Sequence, residues 1–328
     1  MRRRTLVLMM AVVGMTAFAV PTVSNETAKQ RFPWNGLVDI TCTVSGIDAT
    51  DQWKFALEAV MPDTGDTRKV KQFWVMKNGV KSTDKKVQAN DSYKLLWDAQ
   101  ADLGAVIHSN MVMRVTVVEL HEKVQLWKGG PYWATTNIGA EEPEDYGYYF
   151  WWGDTVGYTN TGSGWISVKD GTSISFTYSG TAASTYSKEN SALLSAGYID
   201  STGNLVPEYD AAHVHWGGEW RMPTDAEFSA LISNCTTMWI TTNGVYGRLV
   251  TGKGAYANRS IFLPAAGGSN YSDLSSAGSY GFYWSSTPRS DDTRFALRLY
   301  FSSGSFNRDR ITGRYNGQSV RPVRGFAE

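Results

Sequence analysis

The order of apolar and polar positions divides the chain into two stretches of different rhythm. Up to about residue 120, apolar and polar side chains alternate in short runs at 37–44, 53–60, 70–76, 92–97 and 111–119. Turn-forming groups such as Pro62-Asp63-Thr64-Gly65 and Asn78-Gly79 separate several of them. Alternation with period two over runs of this length marks strands with one buried face. In the second run Trp53, Phe55 and Leu57 fall on one side and Lys54 and Glu58 on the other. About five to seven short strands in roughly ninety residues predict an all-β sandwich of immunoglobulin-like size.

Beyond Val124 the rhythm changes. In the stretch from Trp216 to Ile232, Thr224 and Glu227 form a Thr-x-x-Glu capping box, and Asp225 suits the positive end of a helix dipole. A helix is predicted from Asp225, with Phe228, Leu231, Ile232 and Cys235 forming its apolar stripe at i, i+3, i+4, i+7. Gly217 and Gly218 allow a sharp turn between Trp216 and Trp220, so that both indoles can point inward. Residues 207–212 suit an earlier helix, with Pro207 near its start and Gly217 able to end it. Asn243-Gly244 between runs at 237–242 and 245–251 is a strong hairpin signal. Residues 260–264, 282–286, 294–301 and 319–324 read as further strands. Residues 156–190, rich in Gly, Ser and Thr, read as a surface loop apart from a hairpin around 174–178. Two helices among many short strands predict an α+β domain over residues 124–328.

The ends and the composition set the compartment. Residues 1–19 combine Arg2 to Arg4, an apolar core from Leu6 to Val13, and an Ala17-Phe18-Ala19 cleavage site. They read as a secretory signal peptide cut after Ala19, followed by a polar linker over 20–30 and the sandwich over 31–122. The mature protein is expected to be secreted or held at the cell surface, with the periplasm as another destination, and not inserted in a membrane once the leader is removed. Its 31 basic and 31 acidic side chains balance, which removes any global electrostatic case for nucleic acid as a partner. Cys42 and Cys235 are the two cysteines. They are either buried thiols in separate cores or one bond linking the domains.

Several motifs of the second domain recur in one family. They are Trp133-Ala134-Thr135, Pro143-Glu144-Asp145-Tyr146-Gly147, Trp152-Gly153, Trp216-Gly217-Gly218-x-Trp220-Arg221-Met222-Pro223-Thr224-x-x-Glu227, Asn243-Gly244-Val245, Ile261-Phe262-Leu263-Pro264-Ala265-Ala266-Gly267, Tyr283-Trp284-Ser285-Ser286 and Ser319-Val320-Arg321-Pro322-Val323. In order and wording, from about Leu126 to Arg324, this resembles the Fibrobacter succinogenes major paralogous domain. The resemblance implies a C-type-lectin-like fold, distantly related to the formylglycine-generating enzymes. The fold class it leads to is α+β, a C-type-lectin-like domain preceded by an all-β immunoglobulin-like sandwich. Members look like exported or surface proteins without an established reaction, for which binding or adhesion is inferred. Trp133, Trp152, Trp216, Trp220, Arg221, Thr224, Glu227, Trp284 and Arg321 are expected to build the frame.

Catalytic chemistry finds little support. Formylglycine-generating relatives need two cysteines for copper, and this domain has Cys235 alone. His213 and His215 would point about 200° apart on a helix, which does not suit a shared metal. Glu141, Glu142, Glu144 and Asp145 crowd one turn instead of facing one another across a cleft. No phosphate loop, nucleophile elbow or Cys-x-x-Cys occurs. No catalytic residue, metal or cofactor is therefore assigned.

The C-terminal stretch is more informative. From Arg289 to Arg324 it holds eight arginines, no lysine and three aspartates. Phe295, Leu297, Leu299 and Phe301 alternate there with Arg294, Ala296, Arg298 and Tyr300, predicting one core face and one face offering arginine and tyrosine. Such side chains dominate binding hot spots. Arg294, Arg298, Tyr300, Asn307, Arg308, Arg310, Arg314 and Tyr315 are the candidate ligand-binding residues. In the competing reading these arginines pair internally with the acidic turn at Glu141 to Asp145. The layout also resembles variable regions altered by diversity-generating retroelements, which would make this a diversified surface. The expected function is that of an exported, non-catalytic binding or adhesion protein with a protein or glycan ligand. The alternatives are an oxidase or hydrolase on the formylglycine-generating type of fold, or a structural matrix component.

Overall fold

A pleated chain that alternates apolar and polar residues can bury one face only by packing it against another such chain, and residues up to 120 do this. The computed structural model describes residues 21–31, 35–47, 52–61, 64–104, 111–177, 185, 188–308 and 312–325. The predicted leader, residues 1–19, lies outside them. The chain divides into two units, Met1–Leu120 and His121–Glu328.

In the first unit one antiparallel sheet runs in the order Thr22–Gln30, Leu37–Ser45, Asp91–Asp98, Phe73–Lys77, Val80–Ser82. In the second sheet, Trp53–Met61 pairs with Asp66–Lys69, Lys86–Val87 and Val112–Glu119. Val38, Ile40, Cys42 and Val44 from one sheet meet Trp53, Phe55, Leu57 and Ala59 from the other in a single apolar cluster with Trp97. Residues 22–30 are not the linker their polarity suggests. They form the edge strand of the first sheet, paired with Leu37–Ser45 across an irregularity between Ser24 and Thr27. Almost every side chain of this strand faces solvent, so no alternation marks it in the sequence. Backbone pairing holds it, and the Glu26 carboxylate adds a bond by accepting from Val115 N at 2.9 Å.

The second unit corrects the expected fold class. Strands take 47% and helices 12% of the structure, in several sheets, and no C-type-lectin-like pairing of helices with a sheet is present among the described residues. The protein is mainly β. The helices are short for physical reasons. Asn190–Ser195 and Ala211–Trp216 have six residues each. The latter stops at Gly217, whose φ of 71° suits glycine. Asp225–Asn234 has ten residues and is followed by the β-branched run Thr236, Thr237, Ile240, Thr241, Thr242, which favours the extended chain. The helix expected at 207–212 begins later. Pro207–Tyr209 is a 3₁₀ turn, and Asp210 caps the α-helix by accepting from Ala212 N and His213 N at 2.8 and 3.0 Å.

The main sheet of this unit has nine strands. Its path is Ser173–Ile174, Trp165–Ser167, Tyr158–Asn160, Tyr149–Phe150, Gln318–Ser319, Gly281–Pro288, Phe295–Phe301, Phe306–Asn307, with Thr312–Gly313 also paired to Phe295–Phe301. Three of these strands come from the 156–190 stretch that reads as a loop. Single aromatics anchor them: Trp165 and Phe176 are buried with Tyr149, Trp151 and Tyr158 in an aromatic cluster. Strands of two or three residues are too short to show a period, which is why polar composition hides them. Three further sheets complete the unit. Lys123–Gln125, Tyr132–Ala134, Val323–Arg324 and Trp220–Arg221 form one, Cys235–Thr242, Val245–Gly252 and Ser260–Pro264 another, and Gly268–Asn270 with Asp273–Ser275 a third.

Arg321 joins these parts. It is fully buried, and its guanidinium donates to Asn137 Oδ1 at 2.8 Å, Ala134 O at 3.0 Å and Phe262 O at 3.0 Å. Burial pulls its pKa down to about 10, so it stays charged at neutral pH. A lysine ammonium is a compact point donor and cannot reproduce the guanidinium's fork across these three acceptors. Arg321→Lys is expected to cost about 3 kcal/mol in urea unfolding of the full chain, the scale of leaving buried acceptors unpaired. A loss below about 1 kcal/mol would show that the guanidinium is not the tie proposed.

Asp210 supplies a pH test. Its Oδ2 accepts from Met222 N at 2.8 Å, yet burial still pushes the carboxyl up to about 6. A raised carboxyl pKa means the folded state binds more protons, so its contribution is present below about pH 4 and is lost as pH rises through about 6. The Tm of the parent minus that of Asp210→Asn should therefore fall between about pH 4 and pH 7. A difference that rises or stays flat over that window would contradict the assignment.

Candidate functional site

The centre of the main sheet is the antiparallel pair Gly281–Pro288 and Phe295–Phe301, in register Phe282↔Tyr300, Tyr283↔Leu299 and Trp284↔Arg298. Strand geometry puts Tyr283, Leu299 and Phe301 on one face, where they join the cluster of Phe228 and Leu231 from the Asp225–Asn234 helix. Trp284 and Ala296 are on the other face, in the cluster of Phe150, Trp152 and Trp216. Each face is thus covered at one end. The sequence reading of one core face and one open face is corrected accordingly: Ala296 is fully buried, while Phe295 and Leu297 are half-buried.

Where the second face emerges from its cover, three aromatic rings meet, Tyr280 exposed and Phe282 and Tyr300 half-buried. The Phe282 and Tyr300 rings, directly opposite across the strands, have centroids 5.8 Å apart. Tyr280 is 6.0 Å from Phe282 and 5.7 Å from Tyr300, closing a triangle. The Arg298 guanidinium sits 4.3 Å from the Phe282 centroid, a cation–π distance. Gly281 makes room beneath, because the Phe301 ring passes within 2.0 Å of where a Cβ would stand. Tyr280 and Phe282 were not among the residues singled out from sequence. Their signal is the alternation Tyr280, Phe282, Trp284, which is legible only once the strand is known to be covered at one end.

The eight candidate residues do not share one face. Arg298, Tyr300 and Asn307 do, since Asn307 pairs with Tyr300 in register. Arg294 is exposed at the strand's start and grips Asp292 through Nε at 3.0 Å and Nη2 at 2.9 Å. Arg308 follows Asn307, so it points to the opposite face and forms an ion pair with Asp225 at the helix start. Arg310 lies outside the described residues. Tyr315 is half-buried against the aromatic cluster.

Arg314 is fully buried, which removes it from any binding surface. Its Nε donates to Phe295 O at 3.0 Å, its Nη1 to Thr185 O at 2.8 Å and Lys188 O at 3.2 Å, and its guanidinium lies 4.7 Å from the Trp152 ring centre. The alternation test could not have located it, because it sits in a turn and not in the strand.

The frame residues are placed as follows. Trp133, Trp152, Trp216, Trp220 and Trp284 are buried. Trp152 Nε1 donates to Ser285 O at 2.9 Å and Trp284 Nε1 to Phe150 O at 2.8 Å. Trp216 meets Trp220 edge to face at 5.0 Å and stacks on His121 at 3.7 Å. Thr224 and Glu227 complete the capping box, and Arg221 donates to both Glu227 oxygens, at 2.7 and 2.5 Å.

The groups considered for chemistry are dispersed. Asp145 accepts from Glu141 N and Glu142 N, and Glu144 from Asn243 Nδ2. His215 pairs through Nε2 with Thr155 O at 2.9 Å, and burial lowers its pKa. Cys42 and Cys235 are both buried and unbridged, with burial raising each thiol to about 11. Among the described residues no three His, Cys, Asp or Glu side chains are placed to hold a metal ion.

Two kinds of position should separate in a stability assay. Replacing Arg298 and Tyr300 together with alanine should leave the Tm within a few degrees, as surface changes do. Arg314→Ala and Leu299→Ala should each cost about 2 to 5 kcal/mol in urea unfolding, through orphaned carbonyls in one case and a cavity in the other. Unfolding of the double variant, or a silent Arg314→Ala, would reverse the division drawn between surface and frame.

Comparison with known proteins touches only part of the chain. A family described as a domain of unknown function (DUF8237) matches residues 252–326, the stretch that carries Tyr280, Phe282, Arg298 and Tyr300. No curated protein and no solved structure matches the chain.

Proposed function

We propose that this is an exported, non-catalytic binding protein that takes its ligand on the face of Tyr280, Phe282, Arg298 and Tyr300. The observation that carries this reading is the aromatic triangle at the edge of the main sheet's central strands, in which Tyr280 is exposed, Phe282 and Tyr300 are half-buried, and the half-buried Arg298 lies over Phe282. Those strands are packed on both faces, so the site needs little ordering on binding. Aromatic rings and a guanidinium give large contact area with directional donors. Such a face suits a protein or an acidic glycan presenting carboxylate or sulfate groups, which accept forked hydrogen bonds. Export rests on the leader-like residues 1–19.

The test is an array displaying carboxylated and sulfated glycans beside proteins with acidic surfaces, probed with the full chain. Capture by anionic members should weaken with salt. The double replacement of Arg298 and Tyr300 with alanine should weaken it at least about tenfold, the equivalent of ~1.4 kcal/mol. Failure to capture any anionic member, or equal binding by parent and variant, would overturn the proposal.

A further inference from the structure

A recess lies where the Asn243-Gly244 hairpin meets the turn after Phe295–Phe301. The hairpin's two-residue turn, with φ of 46° at Asn243 and 85° at Gly244, sets the register Thr241↔Tyr246 and Trp239↔Arg248. Trp239, Tyr246 and Arg248 therefore share one face. The Trp239 and Tyr246 rings are nearly parallel, 11° apart in plane with centroids at 6.0 Å. Arg248 then draws in the neighbouring turn. It donates to Ser302 O at 3.0 Å from Nε and 2.7 Å from Nη2, and to Ser303 O at 2.9 Å. Gly278, Ser279 and Tyr280 form the other wall of a shallow, solvent-open groove of about 290 Å³.

We infer that this groove binds one neutral pyranose ring of a glycan. The lining is of two kinds, and that combination identifies the ligand. Trp239, Tyr246 and Tyr280 present aromatic rings, whose negative faces attract the polarised C–H groups of a sugar ring's flat side. Tyr246 is 50% and Tyr280 36% exposed, so ligand can reach them. At the rim, the exposed Ser279 and Ser303 and the two phenols can both donate and accept, which matches the hydroxyl edge of a sugar. An apolar side chain would leave that rim unused. An anionic ligand has less to gain, because the guanidinium behind the groove is already spent on backbone carbonyls. The volume, about 290 Å³, lies just below the range of drug-sized ligand sites, roughly 300 to 1,000 Å³, and suits a single ring as the recognised unit.

Tyr280 is common to this groove and to the Arg298 face, but the inference does not rest on the function proposed for that face. The experiment is calorimetric titration of the full chain with neutral hexasaccharides of β-1,4-linked glucose, xylose and mannose and of α-1,4-linked glucose, beside a sulfated hexasaccharide. At least one neutral hexasaccharide is expected to bind saturably. Tyr246→Ala should weaken it at least tenfold with an unchanged Tm, and Tyr246→Phe, which keeps the ring, should weaken it less. Arg298→Ala should leave it within about twofold, since the arginine is not part of the lining. Absence of binding by all four neutral sugars, an affinity untouched by Tyr246→Ala, or a loss produced equally by Arg298→Ala would each overturn the inference. Binding of the sulfated sugar alone, lost in Arg298→Ala, would also overturn it while leaving the other face's role standing.

Discussion

A buried cation that donates to carbonyls is the constraint on which the second unit depends. Moving a guanidinium out of water is costly unless its donors are met, and Arg321 meets them with the carbonyls of Ala134 and Phe262 and the amide oxygen of Asn137. Those acceptors come from distant parts of the chain and cannot drift apart without stranding the charge. The network continues inward. Asn137 Nδ2 donates to the Tyr283 hydroxyl at 3.3 Å, and that hydroxyl donates to Pro264 O at 2.8 Å. Tyr283 belongs to a central strand, so the main sheet is tied to the segments around Asn137 and Phe262 through one set of polar contacts.

The same device recurs because of the strands themselves. Many have only two or three residues, and the chain between them leaves carbonyls without ladder partners. A guanidinium has five donors in a rigid fork and can serve several such carbonyls at once. Arg314 does so for Lys188 and adds a second donor to Phe295 O and Thr185 O, which also accept from Arg289 N and Lys188 N, and Arg248 serves Ser302 and Ser303. In a unit with little helix, arginine thus takes over work that long ladders do elsewhere.

The legible part of the fold was local. The capping box at Thr224 and Glu227, the hairpin at Asn243-Gly244 and the alternation of Trp53, Phe55 and Leu57 depend on near neighbours, so spacing alone reveals them. What escaped was set by tertiary contacts. Residues 22–30 are strand only because Leu37–Ser45 offers an edge, and Trp165 and Phe176 are core only because Trp151 and Tyr158 come to them. The fold class went astray for a related reason. Two good helix starts carry weight in a sequence, but a start does not set a length, and glycine and β-branched residues stopped each helix early.

The site was legible in composition and not in placement. A surplus of arginine near the C-terminus can be read in two ways, as a surface for a partner or as internal ties, and the structure buries Arg314 and Arg321 as ties while leaving Arg294 exposed and Arg298 half-buried. Strand parity divides Asn307 and Arg308, adjacent in sequence, between opposite faces. Burial divides Arg298 from Arg314, though both lie in the same arginine-rich stretch. Arg314, Arg321 and Arg248 are committed to carbonyls, and the aromatic rings around Tyr280 lie beside two of the elements they hold. Their positions follow from those ties: Arg248 holds the Ser302–Ser303 turn beside Trp239, and the strands that carry Phe282 and Tyr300 are packed on both faces. These rings thus stand on strands held by apolar packing on both faces, and a ligand meeting them would find much of the ordering cost met when the chain folded.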